Sequence, residues 1–302
     1  GAEGGLMRYV SVGAPPDAFA PNGQVWSLPP PNPVEWARSG HAPFAELVRA
    51  NMAHAGALRI DHVLGLRRLF VVPDGMTGAG GAYVDMPFDD LLGQLALESR
   101  RAGCLVVGED LGTVPHGFRE RMAEMKVLSY QVLWFEREGR NFRSPEHYPA
   151  LGAACVSTHD LATLAGWWAG SDIDENEALG IFTAETGLRH SGDRVQERRI
   201  LLGTLARAGL LDEAWCEREL PDTLPEEVAG AIHAWLARGR SVLALIQADD
   251  LSGEVERLNL PGTDRERPNW RRRLSATTEE ILETPLARTI LAGFGDQRRP
   301  TE

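Results

Sequence analysis

Short apolar runs that end in charged residues recur along this sequence of 302 residues, and stretches with helical spacing separate them. The run "ALRI" ends at Asp61, "CLVVG" ends at Glu109, and the polar residues after "AACV" end at Asp160. Strands that are apolar throughout are typical of a parallel sheet that helices cover on both faces. Because the charged residues fall at the strand ends, the pattern favours a (β/α) barrel, whose active site collects at the C-terminal ends of its strands.

Apolar residues at helical spacing predict helices over residues 43–54, 89–103 and 115–126 and over most of 161–238. The runs "VLSYQVLWF" and "SVLALIQADD" predict further strands. The proline-rich segment 13–33 admits neither a helix nor a central strand, and long ordered loops of this kind are often functional. A doubly wound sheet is the alternative architecture, although the sequence has no GxGxxG or GxxxxGK[ST] phosphate-binding loop.

The composition argues against several classes of function. A net charge of -12 disfavours nucleic acid and anionic membranes as partners, because both attract clustered Lys and Arg. Cys104, Cys155 and Cys216 lie far apart without CxxC spacing, which disfavours a disulfide framework and a structural zinc site. No apolar run is long enough to span a bilayer and no signal-like N-terminus occurs, so we expect a soluble, cytoplasmic protein.

Asp61, Glu109 and Asp160 are candidate catalytic carboxylates because of their positions after apolar runs. Side chains alternate across a strand, so Arg59 points the same way as Asp61 and keeps its carboxylate ionised, as a nucleophile requires. Glu109 follows two valines and a glycine, where partial loss of solvent and a nearby anion raise its pKa. One ionised and one protonated carboxyl group on neighbouring strands is the arrangement that glycoside chemistry uses.

Two other interpretations of these residues remain open from the sequence. A carboxylate at a strand end is often a helix N-cap or a surface charge. His62 and His159 also stand beside Asp61 and Asp160, and the four side chains together have the types that ligate a metal in barrel hydrolases. The HxH and HExxH spacings typical of such sites are absent, so we predict no metal.

Five segments resemble the 4-α-glucanotransferases called amylomaltases, which form glycoside hydrolase family 77. They are "VGAPPDAFAPNGQVWSLP", "ALRIDHVLGLRRLFVVPDG", "VVGEDLGTVP", "STHDLATLAGWW" and "NLPGTDRERPNWRRRL", in the family's order and over nearly the whole chain. The resemblance implies an α/β fold of the α-amylase-type (β/α)8 TIM barrel and no required cofactor. It also implies transfer of α-1,4-glucan segments between maltooligosaccharides, with release of glucose.

The resemblance assigns roles to individual residues of these segments. Asp61 of "RIDH" matches the family's nucleophile, and Glu109 of "GEDLG" matches its acid/base. Asp160 of "THD" matches the third carboxylate, which binds substrate hydroxyls and stabilises the transition state. The matches to substrate-binding positions are Arg59, His62 and His159 around the transferred sugar, Gln24 and Trp26 in a loop over the cleft, Phe135 on the acceptor side and Asn259 as a polar contact.

Two departures from the family pattern affect these expectations. The family often has "GQNWG" where this chain has "GQVWS", so Val25 and Ser27 change the loop around Trp26. Family members are also longer, and we find strands four to eight of the barrel here but nothing that serves as strands one to three. We therefore expect residues 1–302 to form the C-terminal portion of a catalytic barrel domain, with a mostly helical insertion at 165–240. The alternative is a catalytically silent truncated fragment that at most binds α-glucan.

Overall fold

The computed structural model describes residues 5–16, 20 and 22–298. The chain divides into two compact units, Gly1–Tyr130 and Gln131–Glu302. Each unit has its own cluster of buried apolar side chains. A small part of the proline-rich segment, at residues 17–19 and 21, falls outside the described residues.

The first unit combines an antiparallel sheet with a parallel pair of strands. The strands are β1 (Val10–Ala14), β2 (Gln24–Val25), β3 (Ala57–Ile60), β4 (Arg68–Pro73), β5 (Ala82–Asp85) and β6 (Leu105–Gly108). The helices are α1 (Pro33–Arg38), α2 (Ala42–Met52), α3 (Phe88–Ala102) and α4 (Phe118–Glu124). The antiparallel sheet has the order β2-β1-β4-β5, and β3 pairs in parallel with β6.

The antiparallel sheet is a correction to the all-parallel architecture expected from the sequence. β1 pairs with β4 from Val10 opposite Pro73 to Gly13 opposite Phe70. A side chain at Gly13 would place its Cβ 2.1 Å from the carbonyl oxygen of Gln24, so this close approach requires glycine. The segment after β2 therefore lies directly against β1, and Trp26 donates its N–H to the carbonyl of Val12.

The helices that precede β3 and β6 confirm two of the sequence predictions. α2 and α3 correspond to the helices predicted at 43–54 and 89–103. α3 ends at Ala102, and the next residue, Gly103, adopts the left-handed conformation that favours glycine at a helix C-terminus. The helix predicted at 115–126 is shorter, because Gly117 has a φ of 78° and α4 begins only at Phe118.

The second unit is mostly helical and follows β7 (Ser129–Val132), in which the chain passes from one unit to the other. Its strands are β8 (Arg137–Glu138), β9 (Asn141–Phe142), β10 (Gly152–Cys155) and β11 (Leu243–Ala244). Its helices are α5 (Leu164–Ala169), α6 (Ser171–Ala178), α7 (Ala184–Arg207), α8 (Glu226–Ala237), α9 (Ala248–Ser252), α10 (Thr278–Glu283) and α11 (Pro285–Arg298). β10 pairs in parallel with β11.

The core of the second unit forms around α8, whose residues from Val228 onward are all buried. Trp167 and Trp168 pack in this core, and the Trp168 indole donates to the carbonyl of Pro221. The strand predicted from "SVLALIQADD" is wrong beyond Ala244, because only three residues separate Ala244 from α9, which begins at Ala248. Within the described residues, no helix has the length and apolar character needed to cross a membrane.

Candidate active site

Asp61 and Glu109 follow two paired strands of the first unit, β3 and β6. The pairing is parallel and places Ile60 opposite Gly108, so both carboxylates come at the same edge of the pair. Two backbone hydrogen bonds extend the pairing beyond the strands. Glu109 donates its N–H to the carbonyl of Ile60 at 2.9 Å, and Val63 donates to the carbonyl of Glu109 at 2.9 Å. The arrangement predicted from the apolar runs is therefore present for these two carboxylates.

The Asp61 carboxylate is open to solvent and held by an arginine from its own strand. Arg59 donates from Nη1 to Asp61 Oδ1 at 2.8 Å, and the Asp61 side chain is 74% exposed. The Arg59 guanidinium also lies 5.3 Å from the centre of the Tyr130 ring, which limits its movement by a cation–π contact. A guanidinium fixed beside Asp61 orients its carboxylate by a charge-assisted hydrogen bond, as suits a nucleophile.

The Glu109 carboxylate is more withdrawn from solvent and accepts two backbone hydrogen bonds. Its Oε2 accepts from the N–H of His62 at 2.7 Å, and its Oε1 accepts from the N–H of Leu111 at 2.9 Å. Burial raises the pKa of Glu109 above its ordinary value, and the charge of Asp61 raises it further, while the two backbone hydrogen bonds and Arg59 oppose the shift. The neighbouring carboxyl groups therefore have different environments, which suits one as base or nucleophile and the other as acid.

His62 connects Glu109 with the loop that follows β2. It has the left-handed backbone conformation, with φ 45° and ψ 53°, which is unusual for a residue with a side chain. This turn directs its N–H at Glu109, and its ring packs edge-on against Trp26 with 5.1 Å between centroids. Burial lowers the pKa of His62, so its imidazole is neutral at neutral pH and keeps one N–H donor. Strained residues of this kind concentrate at functional sites.

The side chains of Gln24 and Trp26 are hydrogen-bonded to each other in that loop. The Trp26 indole Nε1 donates to Gln24 Oε1 at 2.9 Å, which fixes the orientation of both side chains. Trp26 packs against the core of the first unit and against His62. Gln24 and Trp26, which the resemblance assigned to a loop over the cleft, thus contact each other. Trp26 also packs against His62, whose N–H donates to Glu109.

Gly108 is required by the close packing of the turn after β3. A Cβ at this position would lie 2.8 Å from Cγ1 of Val63, which is buried in the core. We expect Gly108→Ala to destabilise the protein by about 1–3 kcal/mol through overpacking. Urea unfolding measures the change. Gly93→Ala is the matched control, since a Cβ there, in the middle of α3, would meet no atom within 4 Å beyond its chain neighbours and the adjacent backbone of its own helix. That replacement should be neutral or stabilising. Equal destabilisation by both would contradict the packing explanation.

Asp110 is a residue whose importance the sequence did not reveal. It is fully buried, and its carboxylate accepts from Arg119 Nε and from Ser129 Oγ, both at 2.6 Å, and from the N–H of Tyr130 at 2.8 Å. These contacts fix the residue next to Glu109 to α4 and to the start of β7. They also position Tyr130, whose ring makes the cation–π contact with Arg59.

We expect Asp110→Ala to lower the free energy of unfolding by about 3 kcal/mol or more, because the buried Ser129 hydroxyl and Tyr130 N–H and the half-exposed Arg119 guanidinium all lose this acceptor. Ser129→Ala removes only one of these hydrogen bonds and should cost about 1 kcal/mol. Thermal unfolding of both variants measures the difference. Equal effects would show that the charged contact with Arg119 and the backbone contact with Tyr130 add little.

Asp160, His159 and Asn259 come together in the second unit. Asn259 donates from Nδ2 to Asp160 Oδ1 at 2.6 Å, and Nε2 of His159 lies 3.2 Å from Asp160 Oδ2. The backbone N–H of Asn259 also donates to the carbonyl of His159 at 3.1 Å. Asp160 is thus held on both carboxylate oxygens by residues that the resemblance had selected separately.

Two aromatic side chains of the second unit remain accessible. Phe135, just after β7, is 43% exposed. Trp270 is 59% exposed, has a φ of 60°, and its ring lies 5.1 Å from that of His159. Trp270 was not among the predicted binding residues, although the quoted segment "NLPGTDRERPNWRRRL" contains it. In the described part of the chain, no three His, Cys, Asp or Glu side chains come together in a group that could hold a metal ion.

Comparison with known proteins identifies the family. Residues 5–278 match the model of glycoside hydrolase family 77, described as 4-alpha-glucanotransferase. The chain is 38% identical over 288 residues to the 4-alpha-glucanotransferase of Haemophilus influenzae, covering 95% of this chain and 41% of that protein. It is 38% identical over 271 residues to the enzyme of Mycobacterium bovis, covering 88% of this chain and 36% of that protein. The chain belongs to the 4-α-glucanotransferase family, and it spans about two fifths of the length of these relatives.

Solved structures agree on the fold. The amylomaltase of Corynebacterium glutamicum superimposes with a TM-score of 0.89 at 33% identity, over 97% of this chain and 43% of that one. The amylomaltase of Streptococcus agalactiae, solved in complex with acarbose, superimposes with a TM-score of 0.70 at 20% identity. The fold is therefore an α/β fold similar to that of amylomaltase structures.

Proposed function

We propose that this chain carries the catalytic carboxylates of a retaining 4-α-glucanotransferase that transfers α-1,4-glucan segments between maltooligosaccharides. The observation that carries the proposal is the pair of carboxylates at the ends of β3 and β6. Asp61 is exposed and held by Arg59, whereas Glu109 is withdrawn and has a raised pKa. Membership of the family supports the same chemistry.

In the proposed reaction, a carboxylate oxygen of Asp61 attacks the anomeric carbon as Glu109 gives its proton to the departing glycosidic oxygen. The shortened glucan leaves, and the transferred segment stays bound to Asp61 as an ester. Glu109, now a carboxylate, removes the proton from the 4-hydroxyl of an incoming glucan, and that oxygen displaces Asp61. Two inversions retain the configuration at the anomeric carbon, and no cofactor takes part.

Asp160 is assigned the third role, in which it binds sugar hydroxyls and stabilises the positive charge that develops in the transition state. Its carboxylate is oriented for such a role by Asn259 and His159. Arg59, His62, Gln24 and Trp26 are assigned to substrate binding in the first unit and Phe135 in the second. Apolar sugar faces stack on aromatic rings, which favours a glucan acceptor over water.

The proposal extends to the architecture and the location of the protein. We assign the chain to strands four to eight of a (β/α)8 barrel, with residues 165–240 as a helical insertion. The parallel pairs β3–β6 and β10–β11 and the helices from α5 to α8 support this assignment. The free cysteines Cys104, Cys155 and Cys216 support a cytoplasmic location.

Incubation of the full-length protein with maltotriose tests the proposed activity, with product analysis by chromatography. Glucose together with oligomers longer than maltotriose means transfer, as proposed. Glucose and maltose alone mean hydrolysis, which would overturn the transferase assignment. Acarbose binding measured by calorimetry, without any turnover of maltotriose, would mean that the protein binds α-glucan but does not catalyse.

A further inference from the structure

A long irregular segment holds Asn259 in the second unit. Residues 253–277 join α9 to α10, and all of them are described, but they contain no helix or strand. A segment of this length without secondary structure of its own needs contacts with the rest of the protein to keep one conformation. What fixes this segment also fixes Asn259, and through Asn259 the carboxylate of Asp160.

Glu175 of α6 makes two of the contacts that hold the segment to the rest of the second unit. Its Oε2 accepts from Arg257 Nε at 2.5 Å, and its Oε1 accepts from Arg267 Nε at 2.6 Å. Both arginines belong to the irregular segment and are buried, with 7% of Arg257 and 6% of Arg267 exposed. They stand on either side of Asn259 in the sequence, so one carboxylate holds both ends of the stretch that presents this side chain.

Further hydrogen bonds connect the two arginines with other residues of the segment. Arg267 donates to the carbonyl of Arg257 at 2.6 Å and to Asn269 Oδ1 at 2.7 Å. The same oxygen of Asn269 accepts from the N–H of Leu260, the residue after Asn259. Arg267 also donates to the carbonyl of Leu258 at 3.5 Å, so the hydrogen bonds that begin at Glu175 reach both sequence neighbours of Asn259.

Glu175 is the carboxylate that Arg257 and Arg267 share at hydrogen-bond distance, and Arg257 also donates to Asn176 Oδ1 at 2.7 Å. Arg257 and Arg267 are two cations close together in a poorly solvated place, and Glu175 is the carboxylate between them; Glu256 reaches only to 4.0 Å from Arg267. A buried charge that loses its partner is strongly destabilising. Because the segment has no helix or strand, we expect the loss to release the segment locally instead of unfolding the unit.

We propose that Glu175 is a positioning residue for the transfer reaction: it clamps Arg257 and Arg267 and so holds Asn259 on Asp160. This inference rests on the proposed function, because it is the role of Asp160 in the reaction that gives the clamp a kinetic effect. Glu175 itself acts only through the segment and does not contact the substrate. Nothing in the sequence pattern alone connects it to Asp160, since the two arginines are about 80 to 90 residues further along the chain.

The test compares Glu175→Gln with Asp174→Asn in the full-length protein. Both replacements remove one negative charge from α6, but Asp174 is exposed and not part of the clamp. We expect Glu175→Gln to lower kcat on maltotriose about 10- to 100-fold, in line with the cost of a misplaced catalytic group, with KM changed less than kcat. Glu175→Asp keeps the charge and should recover part of the rate. Asp174→Asn should match the wild type.

A double-mutant cycle with Asn259→Ala separates positioning from a general loss of structure. If Glu175 acts through Asn259, Glu175→Gln should cost little further kcat once Asn259 has been replaced. A full additional loss in the double variant would overturn the inference, and so would equal kcat values for Glu175→Gln and Asp174→Asn.

Hydrogen exchange decides the inference even if the wild type shows no transfer and the proposed function fails. The amides of Asn259 and Trp270 both donate to backbone carbonyls in the folded segment. They should exchange faster in Glu175→Gln than in Asp174→Asn or the wild type. Equal exchange in all three proteins would mean that the clamp does not hold the segment.

Discussion

Asp61→Asn is expected to abolish glucan transfer with almost no effect on stability. The amide has nearly the same shape as the carboxylate but cannot form the glycosyl ester through which the proposed reaction passes. Loss of a catalytic nucleophile lowers kcat by on the order of 10⁴-fold or more in other enzymes. The Asp61 side chain is 74% exposed, and its contact with Arg59 is a partly exposed ion pair, so the stability should stay within about 1 kcal/mol of the wild type.

Asp85→Asn is the matched control for this variant. Asp85 also ends a strand of the first unit, is 79% exposed, and lies 3.9 Å from an arginine, Arg67. The initial rate on maltotriose and the thermal unfolding of each variant are compared with those of the wild type. Asp85→Asn should retain full activity. If Asp61→Asn keeps more than about a tenth of the wild-type rate, Asp61 is not the nucleophile.

The strand-end carboxylates of the first unit were accessible to sequence reasoning because the position of a charged residue after an apolar run is a local property. The runs "ALRI" and "CLVVG" are mostly apolar, and the parallel pairing of β3 with β6 brings Asp61 and Glu109 to one edge. Arg59 reaches Asp61 because the two residues are two positions apart on an extended chain. These inferences need only the periodicity of a strand and the order of the elements.

The sheet formed by β1, β2, β4 and β5 was missed because its pairing is not local. β1 has only five residues, and its partner β4 begins far along the chain. Such short apolar runs fit several architectures, and periodicity does not say which runs pair. The same limit applies to Asp110: its burial follows from contacts with Ser129 and Tyr130, which lie on another strand.

The conformation of His62 was also beyond the sequence. A left-handed backbone conformation can be predicted from sequence at glycine or asparagine, which favour it. A histidine gives no such signal. Yet this turn directs the His62 N–H at Glu109 and sets its ring against Trp26. The resemblance selected His62 for the family's substrate site, and the structure adds a backbone contact with the proposed acid/base.

Glu109→Gln is expected to lower transfer from maltotriose about 10³-fold, because the amide can neither protonate the leaving oxygen nor activate the acceptor. The first step should survive with α-maltosyl fluoride as donor. Fluoride leaves as an anion and needs no proton: the Asp61 oxygen forms a bond to the anomeric carbon while the carbon–fluorine bond breaks. The second step still lacks its base, so a maltosyl group should accumulate on Asp61. Mass spectrometry of the digested variant detects this ester. Its absence, with fluoride release no faster than from Asp61→Asn, would contradict the roles proposed for the pair.

The pH dependence of the wild type provides a second measurement on Glu109. Burial raises its pKa in the free protein, so the protonated form persists to a higher pH than for an ordinary glutamate. Transfer from maltotriose needs that proton, and kcat/KM should fall as the pH rises through the raised pKa. Fluoride release by Glu109→Gln should lack this alkaline decline, because neither the donor nor the amide titrates there. A decline that is identical in both proteins would assign it to another group and remove Glu109 from the role of acid.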